Sequence, residues 1–221
     1  RDPEMSRGLG DVYKRQVIES GAFANCSSLT SITLPARMGE LEIGNESLGT
    51  VYGVDLFNGS IYLENIFVEE GNKYYSSVDG VLCDATGTTI IHYPNGRRGE
   101  YIVGNRITAI ASYAFSGHRL SSVVFHSGVS SIGENAFYGC YNLESITFKG
   151  GLLPAELTVG ENAFSFAYQN DALTEVIFEA GSNVVEIGKG AFANNVGLTT
   201  IEIPNTCLLY TSPSPRDISG S

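Results

Sequence analysis

The chain has 221 residues, with 13 basic and 24 acidic side chains and a formal net charge of −11 at pH 7. This acidity argues against a nucleic-acid partner, because phosphate binding needs a stripe of basic side chains. It also disfavours an anionic membrane surface. No apolar run approaches the roughly 18 residues of a spanning helix, so we expect no membrane span in this chain.

The two ends of the chain are predicted not to be native protein. A DNA string that encodes 207–217 also encodes 6–16 when its opposite strand is read one frame over. That string resembles the transposase adapter used to prepare sequencing libraries. We therefore expect 1–16 and 207–221 to be adapter-coded tails, which take no part in the fold. The alternative is a genuine polar tail at each end.

The native part is then expected to be a metagenomic fragment, 17–206, without its true termini. The tails carry five of the 13 basic and four of the 24 acidic side chains, so the fragment keeps 8 basic and 20 acidic residues. A missing signal peptide therefore has no bearing on secretion. Simple solubility of an exposed protein accounts for the acidity.

A motif centred on Ala-Phe recurs along this segment. Its copies are Ala22-Phe23, the degenerate Ser47-Leu48, Ala114-Phe115, Ala136-Phe137, Ala163-Phe164 and Ala191-Phe192. An apolar residue, usually followed by Gly, precedes each copy, and Leu-x-x-apolar-x-apolar follows it. The following runs begin at Leu29, Leu63, Leu120, Leu143, Leu173 and Leu198. The Phe residues of the last four Ala-Phe copies are 22, 27 and 28 residues apart, as is typical of leucine-rich repeats.

Each copy predicts one coil of a solenoid. The last two apolar residues of the run are two apart, so they share one face of a short strand. Gly lets the backbone bend, Ala-Phe enters the interior, and the few residues that follow form a tight outer turn. One coil cannot bury its apolar layer alone, but stacked coils can. We therefore predict a β-rich repeat solenoid of leucine-rich-repeat type, with short parallel strands and tight outer turns.

Two segments interrupt the pattern. Residues 49–62 form a long link that we expect to be a loop. In the longer segment 69–103, Asp79-Gly80 separates two β-prone runs, which is typical of a two-residue hairpin turn. A further strand is expected at 88–93. We therefore predict an inserted β-hairpin segment at about 69–103.

The pattern Ile-Gly-x-x-Ala-Phe-x-x-Cys-x-x-Leu-x-x-Ile-x-Ile-Pro resembles the BspA-like leucine-rich repeat of bacterial surface proteins. Residues 132–148 follow it almost position by position, and 78–82 with Tyr93-Pro94 are similar to the family's hairpin insert. The resemblance implies an extracellular or cell-surface protein of host-associated microbes, with adhesion to host matrix or cell-surface proteins. It supplies no catalytic residues.

We find no pattern for catalysis, cofactors or metals. The motifs of serine hydrolases, zinc proteases and dinucleotide-binding proteins are absent from 17–206. The histidines, His92, His118 and His126, lack metal spacing and are expected to be ordinary surface or turn residues. The carboxylates of Glu69-Glu70 are expected to lie in a solvated turn rather than to face one catalytic cleft. Asp79 and Asp84 could touch Ca²⁺, but the twelve-residue calcium loop is missing. We therefore predict a protein without catalytic, cofactor or metal sites.

The cysteines follow the repeat. Cys26 and Cys140 each stand three residues after Phe, which suggests a small buried residue in the stack. At least three coils separate them, or about 14 Å at strand spacing, so they should not form a disulfide.

The outward positions of the strands are the candidate partner-binding face. They are Thr33, Phe67, Val124, Thr147, Ile177 and Glu202. The apolar members could contact a protein ligand, or they could be present only for strand propensity. The role we predict is non-catalytic protein binding that serves adhesion to host or cell-surface proteins. The alternatives are a spacer or accessory module of a larger surface enzyme and, disfavoured by the missing motifs, an enzyme.

Overall fold

A computed structural model describes residues 18, 21–38, 56–152 and 154–205 of the chain. The predicted tails and the copy at Ser47-Leu48 lie outside the described residues. Within these ranges the secondary structure consists of strands and turns, with no helix, as the short coils predict. The strands are β1 (Ser31–Leu34), β2 (Asn65–Val68), β3 (Tyr75–Val78), β4 (Val81–Asp84), β5 (Thr89–His92), β6 (Arg98–Ile102), β7 (Ala109–Ile110), β8 (Arg119–Phe125), β9 (Ser131–Ile132), β10 (Ser145–Phe148), β11 (Leu157–Val159), β12 (Glu175–Phe178) and β13 (Val184–Ile187).

The strands form three sheets, which confirms the parallel solenoid. The front sheet has the order β12-β10-β8-β6, and every pair in it is parallel. The back sheet has the order β13-β11-β9-β7-β5-β4-β3, with an antiparallel end at β5-β4-β3. The N-terminal sheet is the parallel pair β1-β2. Each coil between β5 and β12 thus gives one strand to the back sheet and one to the front sheet, and its apolar layer lies between them.

A column of stacked aromatic rings runs through the core. In the regular coils Phe137 stacks on Phe115 at 4.5 Å between ring centroids and on Phe164 at 4.9 Å. Tyr93 extends this column on one side and Phe192 on the other. Phe137 is fully buried, as its place in the repeat predicts. Offset stacking at these distances stabilises the coils beyond simple burial.

The repeat glycines allow close approach between coils rather than an unusual backbone bend. A Cβ atom on Gly160 would lie 2.7 Å from the carbonyl carbon of Gly133, and Gly133 and Gly188 face similar backbone contacts. The positive φ values occur instead just before Ala-Phe, at Asn135 (φ 53) and Asn162 (φ 52). Asn tolerates this left-handed region better than most residues.

A buried polar position connects successive coils. In three coils the residue three places after the core aromatic donates a hydrogen bond to the carbonyl oxygen of the aromatic residue in the preceding coil. Donor and acceptor residues are Ser60 and Phe23, Cys140 and Phe115, and Asn195 and Phe164. In these three coils a serine, a cysteine and an asparagine serve as the donor, because a buried carbonyl needs a partner, whereas Ala167 stands at this position in the coil of Phe164.

The second coil differs from the prediction. Phe57 is fully buried and stacks on Phe23 at 5.7 Å, and the amide of Phe23 donates to the Leu56 carbonyl. Leu56 and Phe57 therefore occupy the place of Ala-Phe, which the sequence pattern assigned to Ser47-Leu48. The described part of the predicted loop 49–62 is a coil turn.

The inserted hairpin is confirmed. Strands β3 and β4 pair antiparallel, and they are joined by Asp79 (φ 51) and Gly80 (φ 75), as a two-residue primed turn requires. However, β5 and β6 belong to the solenoid, since they pair in parallel with β7 and β8. The predicted insert 69–103 thus contains one complete coil, with Tyr93 as its core aromatic residue.

Candidate functional site

Three of the six predicted face residues form one row across the front sheet. Val124, Thr147 and Ile177 are register partners on β8, β10 and β12. Their outward direction follows from strand alternation, because the residues on either side of them, such as Ile146 and Phe148, are buried. The row is therefore a continuous line of side chains about 4.8 Å apart.

The structure adds Ile102 to this row. Ile102 pairs with Val124 and is 64% exposed, more than any other member. The sequence pattern missed it because β6 lacks the leading Leu and lay within the predicted insert. The alternation in 98–103, with Tyr101 packed inward against Tyr93, was the signal that could have located it. We call Ile102, Val124, Thr147 and Ile177 the front row.

Polar rows flank the front row on both sides. Two residues earlier on the strands the register partners are Glu100, Ser122, Ser145 and Glu175. On the other side, Lys149 forms a hydrogen-bonded ion pair with Glu179. An apolar strip between polar borders is the arrangement of a protein–protein interface core and its rim.

Thr33 and Phe67 lie on a separate sheet. They are register partners on β1 and β2, and Phe67 is 45% exposed. The hairpin turn lies between this sheet and β6, because the Ile66 amide donates to the Gly80 carbonyl and Arg97 donates to the Asp79 carbonyl. The six predicted residues therefore do not form a single ladder.

Glu202 follows the front sheet in the last described coil, where no strand forms. It lines, together with Ile177 and Ile201, an open groove of about 580 Å³ beside β12. The groove brings Glu202 next to the end of the front row. The last coil thus contributes to the same surface without extending its hydrogen-bond ladder.

The buried polar groups are structural. His92 and His118 are almost fully buried, so the expectation of surface histidines was wrong for both.

The described cysteines, Cys26, Cys83 and Cys140, are free. Burial raises the pKa of the Cys140 thiol to about 12, and burial with the nearby Asp84 charge does the same for Cys83. Such thiols are poor nucleophiles, because the thiolate is the reactive form.

The acidic residues considered for calcium serve the local turns. The Asp84 carboxylate accepts hydrogen bonds from Thr86, Thr88 and Thr89. Although burial raises the pKa of this carboxyl, these hydrogen bonds together hold it below its ordinary value. Throughout 21–38, 56–152 and 154–205, no three His, Cys, Asp or Glu side chains are grouped so as to hold a metal ion.

The coil geometry agrees with the sequence comparison. Residues 13–47 and 99–212 match the BspA type leucine-rich repeat region, in six copies. The chain belongs to this family. The matched ranges include the front row and the aromatic column from Phe115 to Phe192, whereas Tyr93 and the hairpin lie between them. No curated protein is significantly similar to the chain in sequence.

The fold is similar to that of a solved bacterial leucine-rich protein. A leucine-rich cell surface protein from Faecalibacterium prausnitzii is 25% identical, with a TM-score of 0.59, over 89% of this chain and 47% of its own. The pneumococcal vaccine antigen PcpA is 25% identical, with a TM-score of 0.49, over 88% of this chain and 53% of its own. The chain thus spans about half the length of these proteins.

The BspA-type chain is therefore a repeat module of the kind found in bacterial surface proteins. Modules of this family are typically non-catalytic. Among the described residues no helix is long and apolar enough to cross a membrane.

Proposed function

We propose that the module binds a protein ligand through the front row and serves adhesion to host matrix or cell-surface proteins from an extracellular position. The observation that supports this most is the exposure of large aliphatic side chains at both ends of one row of register partners. Ile102 is 64% and Ile177 is 37% exposed, and half-buried Val124 and Thr147 lie between them. Water-exposed apolar strips of this kind mark partner sites.

Rigidity also supports the proposal. The front row lies on four hydrogen-bonded strands over a fully buried aromatic core. A partner that docks there needs little reordering of the module, so less of the interaction energy is lost on binding. Repeat solenoids commonly use their extended sheet face in this way.

Binding of the chain to immobilised fibronectin, fibrinogen, laminin and collagen tests the proposal. For any of these that binds, Ile102→Asp and Ile177→Asp should each weaken the affinity by about tenfold or more, because both place a charge in the apolar strip. Leu152→Asp is the matched control, since Leu152 is fully exposed and lies outside the front strands. Phe67→Ala reports separately whether the N-terminal sheet takes part.

Unchanged affinity in both Ile variants would contradict the front row as the binding surface. If the wild-type chain bound none of the four proteins, adhesion to matrix would be wrong. A spacer or accessory module of a larger surface enzyme would then explain the chain better.

A further inference from the structure

Two arginines lie side by side where neighbouring front strands begin. Arg98 and Arg119 are register partners in the parallel pair β6-β8, so their Cα atoms are about 4.8 Å apart. Both side chains are exposed. In the next coil Asn142 stands at the same place, directly before the repeat Leu. Three adjacent coils thus present two guanidinium groups and one amide in a row.

Among the described residues this pair has no partner in the fold. Within the described ranges neither guanidinium group donates to a hydrogen bond or forms a salt bridge, whereas Arg97 and Arg106 donate to backbone carbonyl groups. Like charges directly opposite each other on a sheet are destabilising. In a chain of net charge −11, the pair is therefore a local positive site available to an anionic ligand.

The arginines border an open groove of about 590 Å³. Its other lining residues include Ser121, Tyr141, Asn142 and Glu144. Tyr141 is 49% exposed, and its ring packs against buried Phe166 at 5.3 Å. The ring is thus held in place with a free face. Hydroxyl, amide and carboxylate groups beside it supply both donors and acceptors.

We propose that this groove binds an acidic sugar, a ligand and a site that go beyond the proposed front row. The carboxylate of the sugar is held by the Arg98 and Arg119 pair, since guanidinium groups bind carboxylates through paired, charge-assisted hydrogen bonds. The apolar C–H face of the pyranose packs on Tyr141. Asn142 and Glu144 bind its hydroxyl groups.

The lining favours a sugar over an acidic peptide. Glu144 can accept hydrogen bonds from sugar hydroxyls, but it repels the neighbouring carboxylates of an acidic peptide. A pocket with few apolar walls and several convergent polar groups suits a polar ligand. The apolar surface of the module lies elsewhere, on the front row.

Titration of the full chain with 3′-sialyllactose, trigalacturonate and lactose tests this inference, with isothermal calorimetry and amide NMR shifts as readouts. At least one acidic sugar should bind about tenfold or more tightly than lactose and should shift the amide signals of Arg119 and Tyr141. Added salt should weaken binding. Arg98→Gln and Arg119→Gln should each reduce the affinity by about tenfold, and Tyr141→Leu should reduce it as well.

Lys73→Gln is the matched control, because it removes one exposed positive charge outside the groove. Thermal unfolding of each variant is measured to check that the fold is retained. The inference is overturned if neither acidic sugar binds more tightly than lactose, if the arginine variants bind as wild type, or if a hexaglutamate peptide binds while both acidic sugars do not. Because Ile102→Asp and Ile177→Asp leave the groove intact, they should not change sugar binding.

Discussion

The front sheet and the N-terminal sheet are built from the same coil motif. The front sheet continues through four described strands, whereas the N-terminal sheet ends after two. In the front sheet the strands β6, β8, β10 and β12 are hydrogen-bonded in this order. Beyond β2 the hairpin turn takes the place of the next strand, and Arg97 bonds to Glu64, Asn65 and Asp79 across the junction. The insertion is tolerated here because side-chain hydrogen bonds of Arg97 replace the lost backbone ladder.

The largest effect is expected from the aromatic column of the regular coils. Phe137→Ala should lower the free energy of unfolding by about 3–5 kcal/mol, because it removes the ring between Phe115 and Phe164. The midpoint of thermal unfolding should fall by roughly 10 °C. Phe57→Ala should cost less, since the rings of Phe23 and His92 lie farther from Phe57, at 5.7 and 5.2 Å. If both variants lost the same free energy of unfolding, the regular coils and the N-terminal coils would not differ in how strongly their aromatic rings stabilise them.

A smaller loss of stability is expected when the close contact between neighbouring coils is disturbed. Gly160→Ala should destabilise the regular coils by about 1–3 kcal/mol, since its Cβ would meet the backbone of Ile132 and Gly133 at 2.7 Å. Gly104→Ala is the control, because nothing lies within 4 Å of its Cβ. Denaturant unfolding of the two variants measures the difference. A Gly160 variant as stable as wild type would mean that the coils are not packed this closely.

The smallest effect is expected at the junction. Arg97→Lys should cost about 1 kcal/mol, because lysine cannot donate from two nitrogens to the three oxygens that Arg97 contacts. Hydrogen exchange should rise in β2 and in the hairpin and stay unchanged in β10 and β12. A uniform rise along the whole chain would show instead that the junction stabilises the entire array.

Much of the fold followed from the sequence because each coil repeats a local pattern. The Ala-Phe copies at Phe115, Phe137, Phe164 and Phe192 all lie in the core column. Phe57 was missed, because Leu replaces Ala before it and the spacing to the next copy is irregular. Tyr93 was missed as a core aromatic residue because His92 precedes it instead of Ala and Tyr replaces Phe.

The candidate surfaces were predicted only in part. Strand alternation correctly placed Val124, Thr147 and Ile177 on one outward row, since that period is a local property of the backbone. The separation of Phe67 from this row depends on where the hairpin turn packs. The pairing of Arg98 with Arg119 depends on a register shift between Gly99 and Glu100.

The sequence by itself determined the repeat, the parallel solenoid and the inserted hairpin, because these arise from the spacing of apolar residues and from turn chemistry within one coil. Only the tertiary structure decided which coils are neighbours across an irregular segment. It also decided which exposed side chains, such as Ile102 and the two arginines, come together. Those juxtapositions are set by packing between segments distant in the chain, and a periodic pattern carries no information about such contacts.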